Sequence, residues 1–295
     1  MAGAVAALIW AGYQVITKQG LGSGAGGGFT PLDLTLFRFG LPGLLLLPVL
    51  LRRRAALQKL GFWRVVVLTV VAGPLLGLST AQGYSLAPLA HGAVLFPAFT
   101  TLAGVLLSRW ILGAPQTRAQ LLGLVVIVGG LVLVGGVTGG SVMVWLGDAL
   151  FLLSGLLWGG YTVLLRRWQL DGLTGAAIAG ASSTLVTVLL YGAMGDFERL
   201  SQIATMTLWT QCLFQGVLAG VVAYGMAVQK LGAAGAALFP ATVPLLALML
   251  GVTAFEAVVA PLQWLGLAIT TVGLLMAAGV IKRSVVAAPP VPPSL

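Results

Sequence analysis

The sequence holds few of the side chains that perform chemistry. Its 295 residues include six acidic residues, one histidine (His91) and one cysteine (Cys212). A zinc site typically needs three or four Cys, His or carboxylate ligands, and one cysteine cannot form an internal disulfide. We therefore expect no enzyme activity, no metal site and no cofactor.

Charge is scarce as well. Only 7% of the residues are charged and 59% are hydrophobic, whereas roughly a quarter of the residues in an ordinary soluble protein carry charge. A helix needs about 20 mostly apolar residues to cross the hydrocarbon core of a bilayer. We predict an all-α integral membrane protein with ten transmembrane helices. The predicted spans are 2–19, 32–51, 63–84, 90–112, 119–136, 145–168, 173–194, 208–229, 233–255 and 262–281.

The net charge of +9 comes from basic residues whose positions indicate orientation in the membrane. With both termini in the cytoplasm, twelve of the fifteen Lys and Arg residues fall in or beside cytoplasmic connections, as the positive-inside rule requires. The other three are Lys18, Arg38 and Arg199. We predict a multi-pass protein of the bacterial inner (plasma) membrane, with cytoplasmic termini, that contacts the lipid bilayer and binds no nucleic acid.

The two halves of the chain share a sequence pattern. Residues 8–18 (LIWAGYQVITK) match residues 156–166 (LLWGGYTVLLR), and residues 92–98 (GAVLFPA) match residues 235–241 (GAALFPA). Matches of Trp, Tyr and Pro in the same order are harder to obtain by chance than matches of Leu or Val. Trp10 and Trp158 are therefore equivalent positions of a duplication.

The duplication predicts an inverted architecture. Each copy contains five predicted spans, and because five is odd the second copy enters the membrane upside down relative to the first. Two such bundles enclose a shared site near mid-depth, and an exchange of their conformations moves the opening from one face to the other. We place the first repeat at 1–140, the second, inverted repeat at 141–283 and a disordered Pro-rich tail at 284–295.

Several motifs resemble those of a known family. The first helix with its terminal Lys18, Arg38 in the second helix, the Leu-Phe-Pro motif of the fourth and ninth, and the Gln-x-x-Gly opening of the fifth and tenth are similar to the EamA-type branch of the drug/metabolite transporter superfamily. The resemblance covers residues 5–281 and implies a ten-helix carrier like the bacterial exporters of amino acids and related metabolites. Members usually carry a Glu before the fifth and tenth helices. Glu256 matches that position, but residues 113–115 of the first half contain no acid.

Polar and aromatic residues inside the predicted spans are the candidate substrate-binding residues, because a polar group in hydrocarbon must face protein or water. This set is Trp10, Tyr13, Gln14, Arg38, Gln82, Tyr84, His91, Phe99, Trp158, Tyr161, Gln215 and Tyr224. The tryptophans either stack on a substrate or pack inside the bundle, and each glutamine either binds substrate or joins two helices. Pro97 and Pro240 interrupt equivalent helices and are candidate gating residues.

Two candidates have further alternatives. Arg38 either binds a substrate carboxylate, pairs with Asp33, or extends its charge to the membrane surface. Because an imidazole titrates near neutral pH, His91 either carries a proton or forms a structural hydrogen bond.

These features favour a carrier for a small-molecule substrate. We predict a secondary transporter that exports small polar metabolites, foremost amino acids, by alternating access through a central cavity between the repeats. The resemblance supplies the direction and the substrate. A multidrug or nucleoside-type carrier is the alternative, followed by a passive channel. The sequence leaves open whether the chain acts as a homodimer or a monomer.

Single cysteines at positions 53 and 167 test the predicted orientation. Both positions fall on the predicted cytoplasmic side, so Arg53→Cys and Arg167→Cys in a Cys212→Ser background should resist a membrane-impermeant thiol reagent in intact cells. Both should react after permeabilisation. Labelling of one but not the other in intact cells would contradict the inverted architecture.

Overall fold

The structure is a computed structural model that describes residues 2–22, 28–136, 141–222, 233–256 and 258–279. Within these residues every regular element is a helix, and no strand occurs. This confirms the all-helical class that the long apolar runs predict.

The first half of the chain contains α1 (Ala2–Gly20), α2 (Pro31–Arg52), α3 (Arg54–Leu60), α4 (Phe62–Ala72), α5 (Pro74–Leu86), α6 (Leu89–Leu112) and α7 (Arg118–Gly136). Helix α2 begins with a capping box, in which Thr30 and Asp33 bind each other's backbone N–H groups. Helices α4 and α5 are interrupted at Gly73 because Pro74 has no backbone N–H to continue the hydrogen-bond ladder. Helix α6 ends at Gly113, whose φ of 65° is readily adopted by glycine.

The second half contains α8 (Val142–Arg167), α9 (Gly172–Met194), α10 (Phe197–Ser201), α11 (Thr205–Gln211), α12 (Ala233–Phe255) and α13 (Pro261–Ala277). Helix α11 continues into a π-helical segment, Cys212–Val222.

Six helical stretches of the described residues are long and apolar enough to cross a membrane: Pro31–Arg52, Phe62–Leu86, Leu89–Leu112, Arg118–Gly136, Val142–Arg167 and Gly172–Met194. They coincide with the second to the seventh predicted spans. Shorter apolar stretches occur at Ala241–Ala254 and Pro261–Ala277. The total of ten spans stays a prediction.

Helices of the first half pack against helices of the second. Helix α7 packs against α13, α6 against α8, α2 against α9, and α1 against α12. The largest apolar cluster also mixes the halves, because Ala11 and Val94 lie in it together with Phe151 and Leu248. The two halves therefore form one bundle with a shared core.

Glycines allow α7 and α13 to approach at backbone distance. Gly123 faces the backbone of Gly273, and Gly130 faces the backbone of Gly266. Because the order of the partners is reversed, the two helices run antiparallel. A Cβ atom at Gly130 would overlap Oγ1 of Thr270 and lie 2.7 Å from the carbonyl oxygen of Gly266. A side chain does not fit there, as is usual where small residues bring membrane helices together.

One end of the bundle, here named the Arg53 end, joins the connection after α2 to the start of α9. Nη1 of Arg53 donates to Oδ2 of Asp171 at 2.5 Å and also to the hydroxyl of Thr174. Asp171 caps α9 by accepting from the backbone N–H of Thr174 at 3.0 Å. Burial raises the pKa of Asp171, but the hydrogen bonds from Thr174 and the charge of Arg53 outweigh it and hold this pKa below its ordinary value.

Substitution of Gly130 by alanine tests the packing of α7 on α13. The new Cβ would overlap Thr270 and the Gly266 carbonyl, so Gly130→Ala should lower the free energy of unfolding by roughly 1–3 kcal/mol. The melting temperature of the detergent-solubilised protein measures this. The neighbouring Gly129 has nothing within 4 Å of its Cβ position, so Gly129→Ala should leave the melting temperature unchanged or raise it, since alanine favours helix. Equal melting temperatures for the two variants would contradict the close approach.

Candidate functional site

A cavity of about 270 Å³ lies inside the bundle between helices of both halves. Helices α1, α2, α5 and α6 contribute from the first half, and α8 and α12 contribute from the second. The lining residues are Trp10, Tyr13, Gln14, Arg38, Phe39, Leu76, Gly77, Thr80, Phe96, Pro97, Thr100, Thr101, Trp158, Thr162 and Val243. The surface is mostly apolar with a few polar groups, which is typical of small-molecule sites.

The structure brings part of the predicted site together. The predicted residues that line the cavity are Trp10, Tyr13, Gln14, Arg38, Pro97 and Trp158. The predicted residues outside this lining are Gln82, Tyr84, His91, Phe99, Tyr161 and Gln215. Tyr224 and the side chain of Pro240 lie outside the described residues. A role in substrate binding or gating stays a prediction for every member of the set.

Aromatic side chains from both halves face the cavity. Trp10 comes from α1, and its repeat equivalent Trp158 comes from α8. The Trp158 ring packs on Tyr161 at a centroid distance of 5.1 Å, which fixes the indole from behind. On the side of α1, the guanidinium carbon of Arg38 lies 4.8 Å from the ring centroid of Tyr13, a cation–π contact.

Threonine hydroxyls supply much of the remaining polarity. Each lining threonine lies within hydrogen-bond distance of a carbonyl in the preceding turn: Thr80 of Leu76 at 2.8 Å, Thr100 of Phe96 at 2.9 Å, Thr101 of Pro97 at 3.1 Å, and Thr162 of Gly159 at 2.7 Å. A hydroxyl that donates its proton to its own helix retains its oxygen lone pairs as acceptors. These hydroxyls can therefore accept hydrogen bonds but have little donor capacity to spare.

Arg38 is the charged residue among the described residues that line the cavity. Its Nη1 donates to the backbone carbonyl of Gln215 at 3.2 Å. Asp33, its predicted alternative partner, instead accepts from the Tyr191 hydroxyl at 2.7 Å and forms an ion pair with Arg199. The alternative of an Arg38–Asp33 pair is therefore wrong, because Asp33 points to α9 and α10 while Arg38 points into the bundle.

At the opposite end from Arg53, here named the Lys18 end, α1 is tied to α5. Nζ of Lys18 donates to the carbonyl oxygens of Tyr84 at 2.7 Å and Ala87 at 2.9 Å. The ammonium group thus caps the carboxyl end of α5, where the helix dipole is negative. The Tyr84 hydroxyl donates to Oε1 of Gln14 at 3.0 Å. Tyr84 therefore contacts Gln14, which lines the cavity, and does not itself belong to the lining.

The π-helical segment and α11 hold the other side of α1. Nε2 of Gln211 donates to the carbonyl oxygen of Ile16 at 2.9 Å, and Nε2 of Gln215 donates to the hydroxyl of Thr17 at 2.9 Å. Both glutamines are buried. For Gln215 this geometry favours the alternative in which the glutamine joins two helices over the one in which it binds substrate. Together with the bonds of Lys18, these contacts form a hydrogen-bonded layer beyond the cavity at the Lys18 end.

His91 forms a buried pair outside the cavity lining. Its Nδ1 lies 2.7 Å from Oδ1 of Asp148, and the two side chains are 0% and 7% exposed. The pair joins the start of α6 to the start of α8. These helices also approach closely at Gly155 and Gly159. The geometry favours a structural hydrogen bond for His91 over a role in carrying protons.

Sequence reasoning missed several lining residues. Thr162 could have been found, because the repeat offset of 148 residues that pairs Trp10 with Trp158 also pairs Gln14 with Thr162. Apolar lining residues such as Leu76 could not be distinguished in the sequence, since similar residues also cover the outside of the bundle. Glu256, the acid that matches the expected family position, is exposed beyond the end of α12.

The sequence matches a family of membrane transporters. The model of the EamA-like transporter family matches it over residues 1–136 and again over 145–279. The chain therefore belongs to the EamA-like transporter family, within the drug/metabolite transporter superfamily, which confirms the resemblance. A solved structure titled "Crystal structure of protein" is 19% identical, with a TM-score of 0.65, and the match covers 96% of this chain and 98% of that chain. At this identity the likeness shows a shared fold. No curated protein matches the sequence.

The His91–Asp148 pair can be tested by double substitution. His91→Leu leaves a buried carboxylate without its partner, so we expect a loss of about 3–5 kcal/mol in the free energy of unfolding, measured through the melting temperature. Adding Asp148→Asn should restore most of the loss because it removes the uncompensated charge. Adding Asp171→Asn, at the Arg53 end, should restore nothing. A His91→Leu variant as stable as the wild type would disprove the structural role.

Proposed function

We propose that the protein is a secondary transporter that exports small polar metabolites, with amino acids as the substrates, by alternating access through the central cavity. Membership of the EamA-like transporter family supplies the coarser class, a membrane transporter of the drug/metabolite type. The observation that carries the finer proposal is a cavity walled by Trp10 from one half and by its repeat equivalent Trp158 from the other.

The packing of α7 on α13 supports two units of opposite orientation. By the repeat, Gly123 is equivalent to Gly266 and Gly130 to Gly273. If each residue is replaced by its equivalent in the other half, the contact of Gly123 with Gly273 becomes the contact of Gly266 with Gly130. The structure contains both contacts. The same exchange converts the α6–α8 pair into the α12–α1 pair. Such reciprocity is expected of inverted repeats around a pseudo-two-fold axis in the membrane plane.

The hydrogen-bonded layer at the Lys18 end supports a conformation that is closed there. Lys18 and Gln211 bind backbone carbonyls of neighbouring helices, so opening this end requires α1 to release both. In an alternating-access cycle the second repeat would adopt the conformation of the first, and the closed layer would move to the Arg53 end.

The dimensions and chemistry of the cavity favour small metabolites over the alternative substrates. Its volume of about 270 Å³ is near the lower limit of the roughly 300–1,000 Å³ of most ligand sites. Bulky drugs would need a larger space. Indole, phenol, amide and hydroxyl groups can bind a zwitterion through hydrogen bonds and ring contacts.

Flux into proteoliposomes tests the carrier function. Uptake of radiolabelled amino acids should saturate with concentration and be inhibited by unlabelled competitors. Trp158→Ala should lower the uptake per folded protein by about two- to tenfold, because aromatic contacts contribute about 0.5–1.5 kcal/mol. Trp110→Ala removes an indole that is 85% exposed on the outside of the bundle, and it should transport like the wild type. Flux that rises linearly with concentration and is equal in both variants would indicate a passive channel instead.

A further inference from the structure

The cavity contains a positive charge, that of Arg38, which none of the six acidic side chains neutralises. All six acidic residues of the sequence belong to the described part of the chain. Each is placed elsewhere: Asp33 pairs with Arg199, Asp148 with His91 and Asp171 with Arg53, Asp196 caps α10, and Glu198 and Glu256 are exposed. Among the described residues, Arg38 therefore has no carboxylate partner.

The contacts of Arg38 satisfy only part of its hydrogen-bonding capacity. A guanidinium group has five N–H donors, and the described bond uses Nη1 toward the carbonyl of Gln215. The Tyr13 ring covers one face of the group at 4.8 Å. A cation in a mostly apolar, membrane-embedded cavity is costly unless an anion meets it. The remaining N–H donors are enough for a bidentate bond with a planar anion such as a carboxylate.

A positively charged group of a substrate would find no oppositely charged partner in the described part of the cavity. Among the described lining residues none is acidic, so an ammonium group in the cavity would meet neutral groups and the positive charge of Arg38. The threonine hydroxyls offer oxygen lone pairs, and the Trp10 and Trp158 rings offer π faces. These weaker contacts can tolerate an amine, but they do not select for it.

We propose that the cavity recognises its substrate by a carboxylate held on Arg38, and that the substrate class is small organic carboxylates with an apolar or aromatic body, for which an amino group is dispensable. This inference rests on the proposed transport function, since it concerns the same cavity. The carboxylate binds on the side of α2 and α1, and the apolar body packs between Trp10 and Trp158. Amines without a carboxylate are repelled by Arg38.

Four matched probes test the wild-type protein directly. L-phenylalanine, 3-phenylpropionate, 3-phenylpropionamide and 2-phenylethylamine share an aromatic body and differ in their charged groups. Their binding to purified protein is measured by tryptophan fluorescence and by the shift in melting temperature. We expect 3-phenylpropionate to bind within about tenfold of L-phenylalanine, and the amide and the amine to bind at least about tenfold more weakly than either. Equal binding of 3-phenylpropionate and its amide would overturn the inference, as would a failure of both carboxylates to bind.

Substitutions assign the effect to Arg38. Arg38→Gln should abolish the preference for 3-phenylpropionate over its amide. Arg38→Lys should retain a reduced preference, because an ammonium keeps the charge but lacks the bidentate geometry. Arg109→Gln, which removes an exposed charge at the end of α6, should bind all four probes like the wild type. A preference for the acid that survives in folded Arg38→Gln would overturn the inference.

Binding and flux distinguish this inference from the transport function. Binding of 3-phenylpropionate that depends on Arg38, without flux of any carboxylate in proteoliposomes, would support the inference and overturn the proposed transport. Saturable flux of L-phenylalanine that is unchanged in Arg38→Gln would support transport and overturn the inference.

Discussion

A polar group inside a bilayer must find its hydrogen-bond partner within the protein, since no water is there to replace it. This constraint accounts for most polar side chains in the bundle. Lys18 and Gln211 donate to backbone carbonyls of neighbouring helices, and Asp148 pairs with His91. Each such bond ties two helices together, so the hydrogen bonds that satisfy polar groups also determine which helices stay together. Arg38 follows this rule with only part of its donor capacity, since its Nη1 donates to the carbonyl of Gln215 while a guanidinium has five N–H donors. This is why we propose it as the substrate-binding cation.

Close helix packing and movement place opposite demands on the same bundle. Glycines bring α7 to α13, and α6 to α8, within backbone distance, which makes these pairs rigid. The contacts of α1 with α5, with α11 and with the π-helical segment rely instead on a few side-chain bonds. A small number of bonds can be exchanged for others at little net cost, whereas a backbone-to-backbone interface cannot open without losing its packing. Movement is therefore expected around α1.

The sequence predicted the features that depend on composition and periodicity, and it predicted less where partners are distant in the chain. Long apolar runs define the helical class, and the repeated Trp motif identified Trp10 and Trp158 as neighbours of one cavity. Tyr84 and Gln215 have the same chemistry as the lining residues, yet they bind Gln14 and Thr17, because which neighbour a polar group meets depends on helix rotation and register. Asp33 is similar, since its partner Arg199 is 166 residues away.

The cavity combines a near-symmetric frame with an asymmetric charge. Alternating access needs two halves that can exchange conformations, and the reciprocal glycine contacts suit that exchange. A substrate with one charged group, however, has a head and a tail. Arg38 lies on α2, while α9, which packs against α2 from the other half, contains no charged residue. Under the proposed function, duplication supplies the mechanism of movement, and the loss of symmetry at Arg38 supplies the orientation of the substrate.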